Sequence, residues 1–145
     1  MTTTNEAEIR RLIDGWVKAL HARDIGSLVL NYAPDVVSFD VVNPLQQKAV
    51  DAVRKRAEEW ISSWQGPINS EIRELSITAD EDVAFSHHLS RFSGTKKGGG
   101  EIDMWIRATL CFGKVDGKWM VTHEHVSVPF DPQSGQVFLD LEPSS

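Results

Sequence analysis

The chain is nearly free of cysteine. Cys111 is the only one, which excludes an intrachain disulfide and a cysteine-built metal cluster. Nor does any apolar run approach the ~20 residues that a bilayer-crossing helix needs. The first residues, Met1-Thr2-Thr3-Thr4-Asn5-Glu6, carry neither the basic nor the apolar stretch of a secretion signal. A cytoplasmic location with no membrane partner is therefore expected. Positive charge is not in surplus either, since 15 Lys and Arg stand against 21 Asp and Glu, a net charge of −6. The one basic triplet, Arg54-Lys55-Arg56, is diluted by Asp51, Glu58 and Glu59 and reads as a solvated helix face, so no nucleic-acid partner is expected. Gly98-Gly99-Gly100 lacks both the GxGxxG spacing and the following helix of a phosphate loop. No Ser-His-Asp elbow, Cys-His pair or internal repeat is visible. Neither a cofactor nor a bound metal is expected.

What remains is a chain of 145 residues, 41% apolar and 25% charged, the size and composition of one globular domain spanning 1–145. Its order is legible from periodicity. Asn5 with Glu8, and Thr3 with Glu6, fit capping boxes. Ile9, Leu12, Ile13, Trp16, Val17 and Leu20 then fall on one helical face. Asp24 caps a second, short helix with Ile25, Leu28, Val29 and Tyr32, ended by Pro34. Residues 36–42, rich in β-branched side chains, read as a strand broken by Asn43-Pro44. A third helix runs from about Lys48 to Trp64, stopped by Gly66-Pro67. Four strands follow, at 68–79, 83–93, 102–112 and 119–128, with Asp116-Gly117 marking the last hairpin. Pro129 closes the last strand. The order α-α-β-α-β-β-β-β, helices first and a meander after, indicates the α+β class: three N-terminal helices on one face of a curved, mostly antiparallel sheet, enclosing a small pocket.

Few residues offer chemistry. Asp40 closes an apolar strand, where a carboxylate facing the interior gains a raised pKa and suits a general base; the alternative is a strand-end acid pointing to water or capping the turn. His123 and His125 lie two apart and share a strand face. With His87 as a third ligand they suggest a metal edge, alone a base beside an electrophile, and otherwise packed histidines at a subunit interface. The 102–112 strand has two faces. Ile102, Met104, Ile106, Ala108 and Leu110 alternate with Asp103, Trp105, Arg107 and Thr109. If the mixed face lines the pocket, Arg107, His87, His123 and His125 form an anion-binding wall beside Trp105; the uniformly apolar face is the better match to the helices. Trp16, Trp60 and Trp64 fall on inner helix faces, as core or as the walls of a pocket for a flat apolar ligand.

Three stretches carry a family resemblance: 82–95, 103–109 (Asp-Met-Trp-Ile-Arg-Ala-Thr) and 117–131, the last with Gly117-Lys118-Trp119 and His123-Glu124-His125-Val126-Ser127. Over residues 5–131, with 132–145 as a C-terminal tail, the chain resembles the SnoaL-like branch of the nuclear-transport-factor-2-like superfamily, which includes ketosteroid isomerases, polyketide cyclases and a kinase association domain. The resemblance implies a cone-shaped fold, a homodimer formed through the sheet and a pocket between helices and sheet. Counting along Tyr32–Asp40 places Asp40 where the isomerases keep their base. The tyrosine of their oxyanion hole falls on Trp16, and its acid falls near Ala108 or Thr109, so the usual oxyanion hole is missing. The same register points Met120, Thr122, Glu124 and Val126 inward and turns the His-x-His pair outward. The expected function is binding of a small apolar or carboxylate-bearing molecule, with acid/base chemistry of the isomerase, cyclase or hydratase type at Asp40 if the protein is an enzyme; the alternative is a non-catalytic binding or homo-oligomerisation domain. Ligand contacts are expected from Trp16, Trp60, Trp105, Arg107, His87, His123 and His125.

Overall fold

The structure, a computed structural model, describes residues 2–144, and side chains from residue 4 onward. Helix α1 spans Thr2–Ala22 and seats Ile9, Ile13 and Leu20 in the core, as the periodicity requires. Asn5 is not its cap. It lies inside the helix, 6% exposed, where its amide donates to the Asp80 carbonyl at 3.0 Å and accepts from the Trp119 indole at 3.3 Å. A buried amide must be satisfied, and the sheet offers better partners than the helix end. The Thr3–Glu6 pairing falls on a side chain outside the described residues. Helix α2, Ile25–Leu28, is capped by Asp24 as expected: one carboxylate oxygen accepts from the Ser27 N–H at 3.2 Å, the other from its hydroxyl at 2.6 Å.

Tyr32 does not extend α2. It opens strand β1, Tyr32–Phe39, and Pro34 sits within that strand where its register shifts between Tyr32 and Val37, a place that tolerates a missing N–H. The two-residue strand β2, Gln47–Lys48, is too short to leave a sequence period. Helix α3 covers Val50–Ser62. Gly66-Pro67 therefore lies inside strand β3, Trp64–Ala79, at a second irregularity, between Gln65 and Asn69. Strands β4 (Val83–Lys96), β5 (Glu101–Val115) and β6 (Lys118–Ser127) complete the six-stranded sheet, ordered β2-β1-β6-β5-β4-β3. Every pairing is antiparallel except β1 with β6. No described helix is long and apolar enough to cross a membrane.

The apolar side of β5 faces the helices, and β4 lays Ala84, Ser86, His88, Ser90 and Phe92 beside it. The interior gathers into two clusters. One joins α1, β1 and the lower sheet through Ile9, Ile13, Val36, Phe112, Trp119 and Val121; the other joins Leu20, Ile61, Trp64, Ile68, Phe92 and Ile106. Thr122 is an extra residue opposite the Cys111–Phe112 step, since Cys111 pairs with His123 and Phe112 with Val121. That bulge reverses the alternation along β6. Trp119 and Val121 take the buried side, which displaces the expected Met120 and Thr122, while Glu124 and Val126 stay inward.

Candidate functional site

Glu124 projects from β6 between Leu110 of β5 and Ser38 of β1, on the helix side of the sheet. The Tyr32 hydroxyl donates to one carboxylate oxygen at 2.6 Å and the Ser38 hydroxyl to the other at 2.9 Å. Withdrawal from water raises the Glu124 pKa. The two hydroxyls pull it back in part, and the nearby Asp40 charge raises it again. Tyr32 is pushed well above the ordinary phenol value by burial, then by the charge of Glu124, with the Trp16 indole hydrogen bond opposing.

Asp40 follows the end of β1. One of its oxygens accepts from the Val41 N–H at 2.7 Å, and the other lies 3.6 Å from Arg56 Nε on α3. Its side chain is 25% exposed, so it sits at a rim; the acid drawn into apolar surroundings is Glu124. Arg56 Nε is buried and finds no hydrogen-bond acceptor. Lys96 donates to the Ser63 hydroxyl at 2.7 Å and lies 4.3 Å from the Trp64 ring centre and 5.9 Å from that of Trp60. Its pKa is lowered by burial and then by the Arg56 charge. Trp60 packs edge-on to Trp64 at 5.5 Å and to Phe92 at 5.2 Å, and Trp16 meets Phe92 at 6.2 Å. The structure thus gathers Trp16, Trp60 and Asp40 with Glu124 on the concave side.

The other five sequence candidates lie on the opposite face. Trp105 is capped by the Arg73 guanidinium at 5.4 Å, and Arg107 donates to the Ser127 hydroxyl at 3.0 Å. The His123 ring donates from Nδ1 to the Val37 carbonyl at 2.6 Å, and Phe39 packs edge-on against both His123 and His125. His87 and His125 are each paired with Thr109, so a whole strand separates them. Among the described residues, no three metal-ligating side chains come together. The anion wall expected from this set is therefore not joined to Trp16, Trp60 and Asp40.

The model of the SnoaL-like domain matches residues 9–131. This chain belongs to the SnoaL-like family. A nuclear-transport-factor-2-like protein of unknown function from Pseudomonas putida is similar over 99% of each chain, at 35% identity and a TM-score of 0.90. A Xanthomonas campestris protein described as a calcium/calmodulin-dependent protein kinase II association domain covers 83% of this chain and 84% of its own, at 26% identity and a TM-score of 0.72. A ketosteroid-isomerase-like protein from Erwinia carotovora atroseptica, at 19% identity, TM-score 0.71, and 83% and 93% coverage, shares the fold. Among curated proteins, none matches in sequence.

Within this SnoaL-like chain, Tyr32, Ser38 and Arg56 escape a reading of the sequence, and Glu124, though expected to point inward, is given no role by it. Tyr32 is the only tyrosine and sits two residues before a proline, which disguised a strand as a helix end. Glu124 had a usable signal. It separates the two histidines, so turning them outward leaves one acid among inward apolar positions. Two open grooves, of about 370 and 430 Å³, run beside α1, lined in part by Val17, Lys18 and Ser70 and by Ile13, Ile72 and Leu75; neither is lined by Glu124 or Asp40.

Proposed function

We propose that this protein binds a small apolar, carbonyl-bearing molecule in a recess between α1, α3 and the sheet, and that Asp40 and Glu124 serve there as an acid/base pair of the isomerase, cyclase or hydratase type. The observation that carries the reading is the Glu124 carboxylate: half-buried, walled by protein, raised in pKa and oriented by Tyr32 and Ser38. A side chain that keeps some accessible surface while protein surrounds it lines a recess. Trp16, Trp60, Met104 and Val126 are half-buried in the same way. Two carboxylates in unlike surroundings divide acid and base roles. Glu124, its pKa raised by burial, is the acid; Asp40, beside Arg56, is the base. Proton transfer of this kind gives about 10²–10⁴-fold in rate.

The test is deuterium exchange at the α-carbon of fused-ring ketones in D2O. The wild type is expected to accelerate exchange, and Asp40→Asn and Glu124→Gln each to lower that acceleration at least about 100-fold, Asp40→Asn with Tm nearly unchanged. Equal exchange in wild type and variants overturns the reading. We also place the protein in the cytoplasm as a homodimer. The Xanthomonas relative's description favours a second reading, a homo-oligomerisation domain, for which sedimentation would show assemblies beyond the dimer.

A further inference from the structure

The concave side holds more positive charge than it pairs. Arg56 and Trp60 lie one helical turn apart on α3 and share a face of it. Lys96, at the end of β4, is paired across strands with Trp64, its ammonium 4.3 Å from the Trp64 ring centre and 5.9 Å from that of Trp60. Two cations thus flank one indole. Among the described residues, Asp40 is the only acid within 4 Å of either, and it stands 3.6 Å from Arg56 Nε, beyond hydrogen-bond length. That Nε is buried without an acceptor, and Lys96 donates to the neutral hydroxyl of Ser63. One positive charge is therefore left over, in a chain where 21 acids outnumber 15 basic residues. On the outer face Arg91 has both Glu71 and Asp103. Burial and then the Arg56 charge disfavour the charged form of Lys96, a cost that a bound anion reverses. Neither cation is sealed off. The Arg56 side chain is 23% exposed, and Lys96 and Trp60 are half-buried.

We infer that Arg56 and Lys96 dock the carboxylate of a flat apolar acid whose body lies against Trp60. The inference rests on the recess reading above and narrows its ligand to an apolar monoanion, with a carbonyl for Asp40 and Glu124 and a carboxylate for the two cations. A guanidinium is planar and matches a carboxylate in shape, while an ammonium adds a compact point charge. One unpaired positive charge suits a single negative one and leaves a dianionic phosphate ester half unmatched. The indole gives the apolar body a large surface to cover. Asp40 stays beside Nε, so Arg56 holds the ligand on one side and the base on the other. The anion-binding chemistry expected of Arg107 and the histidines is thus carried by other residues, on the opposite face.

The probes are 2-naphthoate and the uncharged 2-naphthamide, titrated by isothermal calorimetry at pH 7. The wild type is expected to bind the carboxylate at least about tenfold more tightly, and to lose part of that preference in about 0.5 M NaCl. Lys96→Met keeps the apolar stem and removes the charge, so the preference is expected to fall at least about fivefold while 2-naphthamide affinity holds. Arg56→Gln, made separately, is expected to lower it as well. A preference absent from the wild type, or unchanged in either variant, overturns the inference. So does a Lys96→Met variant that weakens both probes alike, which would mark Lys96 as a prop for the Trp64 ring. Binding needs no turnover, so the two proposals fail separately. Exchange that depends on Asp40 and Glu124 without a carboxylate preference sinks only the cation pair. A Lys96-dependent preference with exchange indifferent to Asp40 and Glu124 sinks only the catalytic reading.

Discussion

On the outer face of the sheet, Arg91 holds Asp103 through two hydrogen bonds of 2.7 Å, whereas on the concave face the hydroxyl of Ser90, one residue earlier, reaches nothing. Alternation along β4 puts these neighbours in different media. Outside, Glu71, Arg91 and Asp103 form a chain of exposed ion pairs, and Trp105 lies under Arg73. Such groups pair easily because water also serves them, and their pairing is worth little. Inside, polar atoms have given up water; Glu124 and Asn5 have been given donors in return, whereas among the described residues the Ser86 and Ser90 hydroxyls and His88 Nδ1 have no partner. The comparison teaches that polarity visible in sequence and polarity that is costly in the fold are different things. The outer face has more of the first, the concave face more of the second. Groups kept at a cost are the better pointers to function.

Acid should expose that cost most strongly at His88. The folded chain keeps the imidazole neutral down to about pH 4, while the unfolded chain takes up a proton near the ordinary value of 6.5. Between those values the unfolded state binds more protons, so stability falls as pH falls, by about 3 kcal/mol across the window. The loss of stability from pH 7 to pH 4, read by urea denaturation, should therefore be smaller in His88→Leu by about that amount. Equal losses would mean that His88 is hydrated like the outer histidines, and the contrast between the faces would fail there.

Tyr32→Phe should have the next effect. It removes the 2.6 Å donor from a carboxylate that has little water to replace it. A charge-assisted bond of this kind is worth about 2 kcal/mol, or roughly 6 °C in Tm for a chain of this size. The sign with pH follows from Glu124. A carboxyl whose folded pKa is raised contributes stability below its unfolded value, and that stability is lost as pH rises through the folded one. Losing a donor to the ionised form worsens that loss, so the variant's deficit should be larger at pH 8 than at pH 5. A deficit independent of pH would indicate lost packing rather than a lost partner for the carboxylate.

How much of this was legible beforehand follows the same division. Regular alternation gave the two faces of β5, and the helical stripe of α1 gave the core positions Ile9, Ile13 and Leu20. What stayed hidden depended on single irregularities. The extra residue Thr122 shifts the inward set of β6 from Met120 to Trp119, and no local pattern announces a bulge. Pro34 and Gly66-Pro67 are breakers that the fold places inside strands, at register shifts that only pairing with another strand defines. Asp40 was legible as a strand-end acid. Its partner Arg56 was hidden in a basic triplet that reads as solvent-facing, yet one turn of α3 brings Nε into the interior. The burial of Ser86, His88 and Ser90 is hidden as well, because polar residues at alternate strand positions look like an ordinary solvated face.

The smallest effect is expected from Asp103→Asn. Its carboxyl is held below the ordinary value by hydrogen bonds from Arg91 and by the guanidinium charge, so the stability it contributes is present above the unfolded pKa and lost as pH falls through the folded one. Both partners face solvent, where screening and side-chain entropy offset most of the attraction. Tm at pH 7 should fall by no more than about 2 °C, and the difference should shrink further in about 0.5 M NaCl. A second copy of the chain packed on this face would change the outcome. It would take water away from the Arg91–Asp103 pair, and the same substitution would then cost far more and by an amount that depends on protein concentration. Melting wild type and variant at two concentrations a hundredfold apart separates the cases. A small, concentration-independent difference keeps the outer face in solvent; a large one that grows on dilution gives that face the buried polarity that here belongs to the concave side alone.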